Sequence, residues 1–223
     1  MLKLEHVLDL LFPRPECMVC ASAKDVYAGI CLACREKLTP LPVPDVSRLA
    51  LIGELYAPFD YNDTARSLIH HMKYLGESDL TCRFFVPYIV QSLKSANISF
   101  DVVVSVPIAK NRLARRGYSQ AWLLAKRVAK GLNVTAQQHA LKSIGRHISQ
   151  TGLSRQARIE NMRGHITPGK GRVKGLTVLL IDDVVTTGAT GAVCREVLYR
   201  MGAKRVVMAA ACAVSAIKKQ EIC

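Results

Sequence analysis

Hydrophobic positions along this chain fall into two patterns. Leu176–Ile181 and the segment Asp101-Val-Val-Val-Ser-Val-Pro107 are apolar runs with no polar alternation. Runs of this kind fit strands buried on both faces, as in a parallel sheet. A third apolar strand, Arg205 to Cys212, follows a helix that stops at Gly202. Elsewhere the apolar residues recur at helical spacing. Ala65, Leu68, Ile69 and Met72 make one stripe of a helix predicted over 62–75. A second helix is predicted over 79–96, split or kinked at Pro87. A third starts at Ser119 and Gln120, with Tyr118, Ala121, Trp122, Ala125, Val128 and Ala129 on its inner face. On that face Trp122 reads as a core residue rather than a base-stacking platform. Leu51 to Tyr61 alternates and predicts a further strand. Strand–helix–strand spacing near the end fits the right-handed crossover of a parallel α/β sheet.

The strand at 176–181 ends in two adjacent carboxylates, Asp182 and Asp183, then Val184 and Val185. Thr186, Thr187 and Gly188 form a short loop, and Ala189 and Thr190 open a helix. Backbone N–H groups and the helix dipole at such a turn can hold a phosphate, and the threonine hydroxyls add donors. Ionised Asp182 and Asp183 only accept hydrogen bonds, which suits ribose hydroxyls or a hydrated Mg²⁺. The stretch resembles the phosphoribosyl pyrophosphate (PRPP) loop of type I phosphoribosyltransferases, a paired acid followed by Thr-Thr-Gly and a small residue. Ligands of parallel sheets sit at the carboxyl ends of strands, where this loop meets the strongly basic loop expected after Pro107, over 110–120.

The 223 residues carry a formal net charge of +14. Between Lys110 and Lys174 lie 15 of the 31 Lys and Arg but only one acid, Glu160; outside that window 16 basic residues meet 16 acidic ones. The whole excess therefore sits in one stretch and predicts a field that draws polyanions rather than a mixed solubility surface. Lys110, Arg112, Arg115, Arg116, Arg155, Arg158 and Arg163 are its candidate contacts for pyrophosphate or a nucleic-acid backbone. Residues 142–175 are glycine-rich and least regular, which predicts a mobile basic loop beside the cleft. A polar insertion without fixed structure is the alternative.

Cys17-Met-Val-Cys20 and Cys31-Leu-Ala-Cys34 give two C-x₂-C pairs, with ten residues between them. Two such pairs complete a tetrahedral Cys₄ shell, read here as a structural Zn²⁺ site without catalysis. Cys82, Cys194 and Cys212 sit in apolar surroundings and read as inert core residues; Cys223 stands apart. Leu4, Val7, Leu8 and Leu11 predict a short amphipathic helix with Glu5 and Asp9 opposite. Pro40, Pro42 and Pro44 mark a connector. The expected division is residues 1–44 for helix, zinc head and connector, and 45–223 for the α/β domain.

Taken together, the chain resembles the ComF-type competence proteins over nearly its whole length. The resemblance rests on the two C-x₂-C pairs, on Val-Pro followed by Arg115-Arg-Gly-Tyr-Ser-Gln120, on Gln150, Leu153, Arg158, Asn161 and Gly164, and on the Asp-Asp-Val-Val-Thr-Thr-Gly loop. Tyr118 and Ser119 stand where the family pattern has Phe-Asn, and His165 and Ile166 follow Gly164 in place of a small residue and an aromatic. The resemblance implies a type I phosphoribosyltransferase-like parallel sheet with helices on both faces, preceded by a small Cys₄ zinc-binding head. It also implies a role in natural transformation, the handling of incoming single-stranded DNA.

Two functional classes are open at this stage. One is a nucleic-acid-handling protein with single-stranded DNA and PRPP as ligands and other DNA-uptake or recombination proteins as candidate partners. The other is an active phosphoribosyltransferase using Mg²⁺-PRPP and an unidentified base or amine acceptor. A third possibility couples them, with PRPP ordering the basic loop. His70 and His71 read as surface or packing residues, and no mixed His/carboxylate set suggests a zinc hydrolase. No stretch reaches the length of a membrane span, and the N-terminus lacks a secretory pattern. The expected location is cytoplasmic, with a peripheral position at the inner membrane as the alternative.

Overall fold

Val102 and Val104 lie beside Val178 and Leu180, whose other neighbours are Val206 and Met208, so the apolar runs form the centre of one sheet. The computed structural model describes residues 16–44, 49–76, 78–144, 160 and 163–215. The central strands are β5 (Val102–Ser105), β9 (Thr177–Val185) and β10 (Arg205–Ala213). They are flanked by β6 (Thr135–Gln137) beyond β5, and by β3 (Leu55–Tyr56) and β4 (Phe59–Asp60), both beyond β10. Every pairing in this six-stranded sheet is parallel.

Helices cover both faces, which is why the strands read as unbroken apolar runs. Val103, Leu179, Ile181, Val207 and Ala209 point to one face, packing with Leu68, Phe85 and Leu124. Those partners come from α3 (Asp63–Tyr74), α4 (Ser78–Ser95) and α6 (Gln120–Leu132). Val102, Val104, Val178, Leu180 and Met208 point the other way, against Ile52, Val193, Val197 and Leu198. These belong to α2 (Leu49–Ile52) and α7 (Ala189–Arg200). Asn62 caps α3 by accepting from the Ala65 N–H, and Ser119 caps α6 by accepting from the Trp122 N–H.

Four expectations are revised. The strand predicted over 51–61 is a helical turn followed by two short strands, because Gly53 and Pro58 punctuate the run. Pro87 does not split its helix, which runs unbroken from Ser78 to Ser95. The basic segment after Pro107 is a helix, α5 (Lys110–Arg116), closed by Gly117. Part of the irregular stretch is ordered: β7 (Leu141–Ser143) and β8 (Ile166–Pro168) pair antiparallel. At its root a Cβ on Gly169 would sit 1.9 Å from the His139 carbonyl oxygen, so only glycine fits there.

The cysteine head comprises a hairpin of β1 (Val26–Tyr27) and β2 (Ile30–Cys31), followed by α1 (Leu32–Arg35). Its connector runs beside β4, with the Leu41 N–H donating to the Pro58 carbonyl and the Asp60 N–H to Thr39. The predicted helix through Leu4 and Leu11 lies outside the described residues, as do Gln150, Leu153, Arg155, Arg158, Asn161 and Cys223. Among the described residues, no helix is long and apolar enough to cross a membrane.

Candidate functional site

Strand β5 stops early and β9 runs on. After Ser105 the Val106 N–H donates to the Ile181 carbonyl at 2.8 Å, and then Pro107, which has no N–H, turns the chain into α5. Strand β9 continues through Asp182, Asp183, Val184 and Val185, still paired to β10 on its other side. The two acids therefore lie within the strand rather than at its tip, on a margin that β5 has vacated. The connection from β5 crosses towards β6, whereas that from β9 crosses the other way to β10. Such a divergence opens a crevice at the carboxyl ends of the strands. Here it is a cleft of about 250 Å³ lined by Lys73, Pro107, Arg112, Arg116, Gln120, Asp182, Asp183, Thr186 and Thr190, among others.

The acid pair is electrostatically asymmetric. Lys73 Nζ lies 2.5 Å from Asp183 Oδ2. The Asp183 N–H donates to Asp182 Oδ1 at 2.8 Å, and the Val184 N–H to Asp183 Oδ1 at 3.0 Å. Burial would raise the Asp183 carboxyl, but the Lys73 charge and hydrogen bonds from Lys73, the Asp182 side chain and the Val184 N–H hold it below the usual carboxylate range. Burial and the negative charge of Asp183 instead push Asp182 well above it. Burial opposes the Lys73 charge, yet the facing carboxylates raise its affinity for its proton. The trio therefore carries one firmly ionised carboxylate, one ammonium and one carboxyl that a cation could ionise.

Arg112 and Arg116 of α5 line the same cleft. Arg116 is fixed: Nη1 donates to Gln120 Oε1 at 3.1 Å, Nη2 to Tyr74 Oη at 2.8 Å, and its guanidinium lies 4.9 Å from the Tyr74 ring centre. The Arg115 guanidinium is 5.8 Å from the same ring. Burial raises and the Arg116 hydrogen bond lowers the Tyr74 phenol, with a net shift downwards. Two buried donors here, Arg116 Nε and Gln120 Nε2, have no partner among the described residues. An anion in the cleft would satisfy such donors. Lys110 faces away from this cleft into a neighbouring pocket, and Arg163 pairs with Glu196 on α7 at 3.2 Å.

The loop after β9 ends at Gly188, the N-cap of α7, with φ of +81° and no side chain to cap the helix. Thr187 Oγ1 accepts from the Ala189 N–H at 3.3 Å. A Cβ on Gly188 would also meet Leu51 at 3.1 Å, so backbone conformation and packing both call for glycine. Lys73 escaped the sequence reading, although a signal existed. It lies four residues after Ile69, on the edge of the stripe that α3 buries, where a lysine needs a partner. Tyr74 follows it.

The Sγ atoms of Cys17, Cys20, Cys31 and Cys34 all lie within 4.8 Å of one another. Cys20 Sγ and Cys31 Sγ are 3.6 Å apart, and the Val19 N–H donates to Cys17 Sγ. Four thiols at this spacing, with no disulfide among them, are compatible with a tetrahedral Zn²⁺ shell, whose Zn–S distance is about 2.3 Å. Cys17, Cys31 and Cys34 are buried in the same core as Phe59, Phe84 and Phe85, so the head is packed onto α4. Cys82, Cys194 and Cys212 are buried, and burial pushes the Cys82 thiol up to about 11 and the other two well above the usual thiol range.

No family model matches the chain. Among curated proteins it is 27% identical over 197 residues to the DNA utilization protein YhgH of Salmonella typhimurium, covering 85% of this chain and 86% of that one. It is 25% identical over 198 residues to competence protein F of Haemophilus influenzae, covering 86% and 82%. The chain is similar to the ComF-type competence proteins. Competence protein ComFC of Bacillus subtilis matches at 23% identity, over 78% of this chain and 67% of that one. Two solved structures are also similar in part. Adenine phosphoribosyl transferase of Trypanosoma brucei has a TM-score of 0.45 at 16% identity, over 67% of this chain and 60% of that one. Phosphoribosylpyrophosphate synthetase of Mycobacterium smegmatis has a TM-score of 0.35 at 24% identity, over 63% and 36%. The chain spans less than two thirds of either.

In this ComF-like chain the cleft can do two things chemically. Its acidic wall can hold hydroxyls or a hydrated divalent cation through Asp182 and Asp183. Its other polar lining residues, Arg112, Arg116, Thr186 and Thr190, can hold phosphate groups.

Proposed function

We propose that this protein acts in DNA uptake, handling incoming single-stranded DNA in the cytoplasm, and that its cleft binds Mg²⁺-PRPP. The observation that carries the second part is that Asp182 and Asp183 line one crevice together with Arg112, Arg116, Thr186 and Thr190. Asp182 and Asp183 would hold the ribose hydroxyls and the hydrated metal, the Thr-Gly turn the 5′-phosphate, and Arg112 and Arg116 the pyrophosphate. Bound there, Mg²⁺-PRPP would offer a C1 with pyrophosphate as leaving group, and the arginines would stabilise the departing charge. The orphaned donors of Arg116 and Gln120 support an anion at this place. The DNA-uptake role is supported by the names of the relatives and by the basic window from Lys110 to Lys174. Cys17, Cys20, Cys31 and Cys34 would hold a structural Zn²⁺.

A salt series of single-stranded and duplex DNA binding, with and without Mg²⁺-PRPP, tests this reading by fluorescence anisotropy. Preference for single strands that persists at moderate salt is expected, along with saturable PRPP binding that the double substitution Asp182→Asn/Asp183→Asn abolishes. Weak binding that ignores strandedness and vanishes with salt would leave an active phosphoribosyltransferase as the better reading. PRPP binding that survives both substitutions would overturn the assignment of the loop.

A further inference from the structure

The wall formed by Val106, Pro107, Ile108 and Ser119 has a second side. Behind the acid-pair cleft it bounds a separate pocket of about 410 Å³ between the start of α5 and β7. That size lies within the ~300–1,000 Å³ of small-ligand pockets, which are apolar with a few fixed polar groups. Trp122, half-buried and packed against the core as its helical stripe predicts, also lines this pocket, as does His139, and Leu113 and Ile144 are exposed apolar side chains at its edge. Two buried hydroxyls line it, those of Ser105 and Ser143, which are 3% and 7% exposed. Among the described residues, Ser143 Oγ has no hydrogen-bond partner. A buried hydroxyl left unpaired in the lining of an open pocket points to a ligand with a polar edge. Lys110 and Lys142, both exposed, stand at the same pocket.

We propose that this pocket takes one unstacked base of a bound single strand, with the adjoining phosphate on Lys110 and Lys142. The inference rests on the DNA-handling reading above and says how strands are told apart. Flat rings and apolar walls receive the π-face that every base has, and one hydroxyl, both donor and acceptor, meets the polar edge of any base. Such a site is tolerant of sequence. It is closed to a duplex, whose bases are stacked and paired. The basic helix α5 then serves two pockets at once, giving Arg112 and Arg116 to the cleft and Lys110 and Leu113 to this one.

Trp122 is the only tryptophan of the chain and reports on the pocket directly. The experiment titrates the full-length protein with an end-labelled oligothymidylate and with a chain of abasic sites of equal length, reading anisotropy and tryptophan fluorescence together. The expected result is quenching by the base-bearing strand alone, and binding about tenfold tighter than that of the abasic chain. Ser143→Ala should cut that gain several-fold and leave abasic binding unchanged. Equal affinities with an unmoved tryptophan signal would overturn the pocket while leaving DNA handling intact, as would a gain that Ser143→Ala does not touch. Failure of both oligonucleotides to bind would remove the DNA-handling reading, and the pocket with it.

Discussion

Lys73 Nζ sits 2.5 Å from Asp183 Oδ2, with the two side chains only 20% and 15% exposed. Removing one partner of such a pair leaves the other desolvated and alone, so Asp183→Asn should destabilise the fold by about 2–3 kcal/mol. Asp182→Asn should do the reverse. It removes a carboxyl whose ionisation is opposed by burial and by the charge of Asp183, and a rise of a few degrees in Tm at neutral pH is expected, of the order that ~1 kcal/mol gives in a chain this size. Thermal unfolding followed by circular dichroism checks both. Equal shifts for the two variants would show that the pair is not asymmetric.

The same asymmetry fixes a pH dependence. Asp183, lowered in the fold, gives stability that is present above the ordinary carboxylate range and lost as pH falls through its lowered value. Asp182, raised in the fold, keeps a proton that the unfolded chain loses, so its contribution declines as pH climbs from the ordinary value to the raised one. A divalent cation held by the pair as proposed would need Asp182 ionised. Affinity for Mg²⁺-PRPP should therefore increase with pH across that window and level off above it. Calorimetric titrations of the wild type, set against Asp182→Asn to subtract the ligand's own protonation, would show it. Matching profiles for the two proteins would mean Asp182 takes no part.

The centre of this site could be read from the chain, but its surroundings could not. Asp182 through Thr190 is local chemistry, a strand, a paired acid and a turn contiguous in sequence, and nothing distant is needed to see it. The sheet was legible for a similar reason, since strands buried on both faces lose their polar alternation. Lys73 is 110 positions from Asp183, on a helix whose stripe announces burial but not what it faces. The helical state of Lys110–Arg116 was hidden because α5 buries none of its residues, leaving no apolar stripe to mark it. Arg163 looked like one more cation of the basic track, and only the fold brings Glu196 to it.

Arg112 is exposed, whereas Arg116 is held by Gln120 and Tyr74, and this separates their expected behaviour. Arg112→Gln should leave Tm unchanged and weaken single-strand binding, flattening the dependence of log K on log salt by about 0.7 if one phosphate contact is lost. Arg115→Gln with Arg116→Gln should flatten it further and also lower Tm, because two hydrogen bonds and the stacking on Tyr74 go with them. Anisotropy titrations at several salt concentrations, paired with melting curves, separate the charge effect from the structural one. An unchanged slope in both proteins would take α5 out of the DNA contact.

The cysteine cluster offers a different kind of test, because three of its four cysteines are part of the main core. Cys17, Cys31 and Cys34 lie in one buried cluster with Leu38, Phe59, Phe84 and Phe85, and the Phe84 and Phe85 ring centres are 5.1 Å apart. A metal bound there would hold head and helix α4 together, and much of its binding energy would be folding energy. Chelation, or Cys34→Ser, should therefore open the 16–44 region to protease and also lower the single melting transition of the whole molecule by several degrees. An independent head would behave otherwise, melting alone and leaving the main transition where it was. Continued protease resistance and an unmoved Tm after complete chelation would show that the four thiols hold no structural metal.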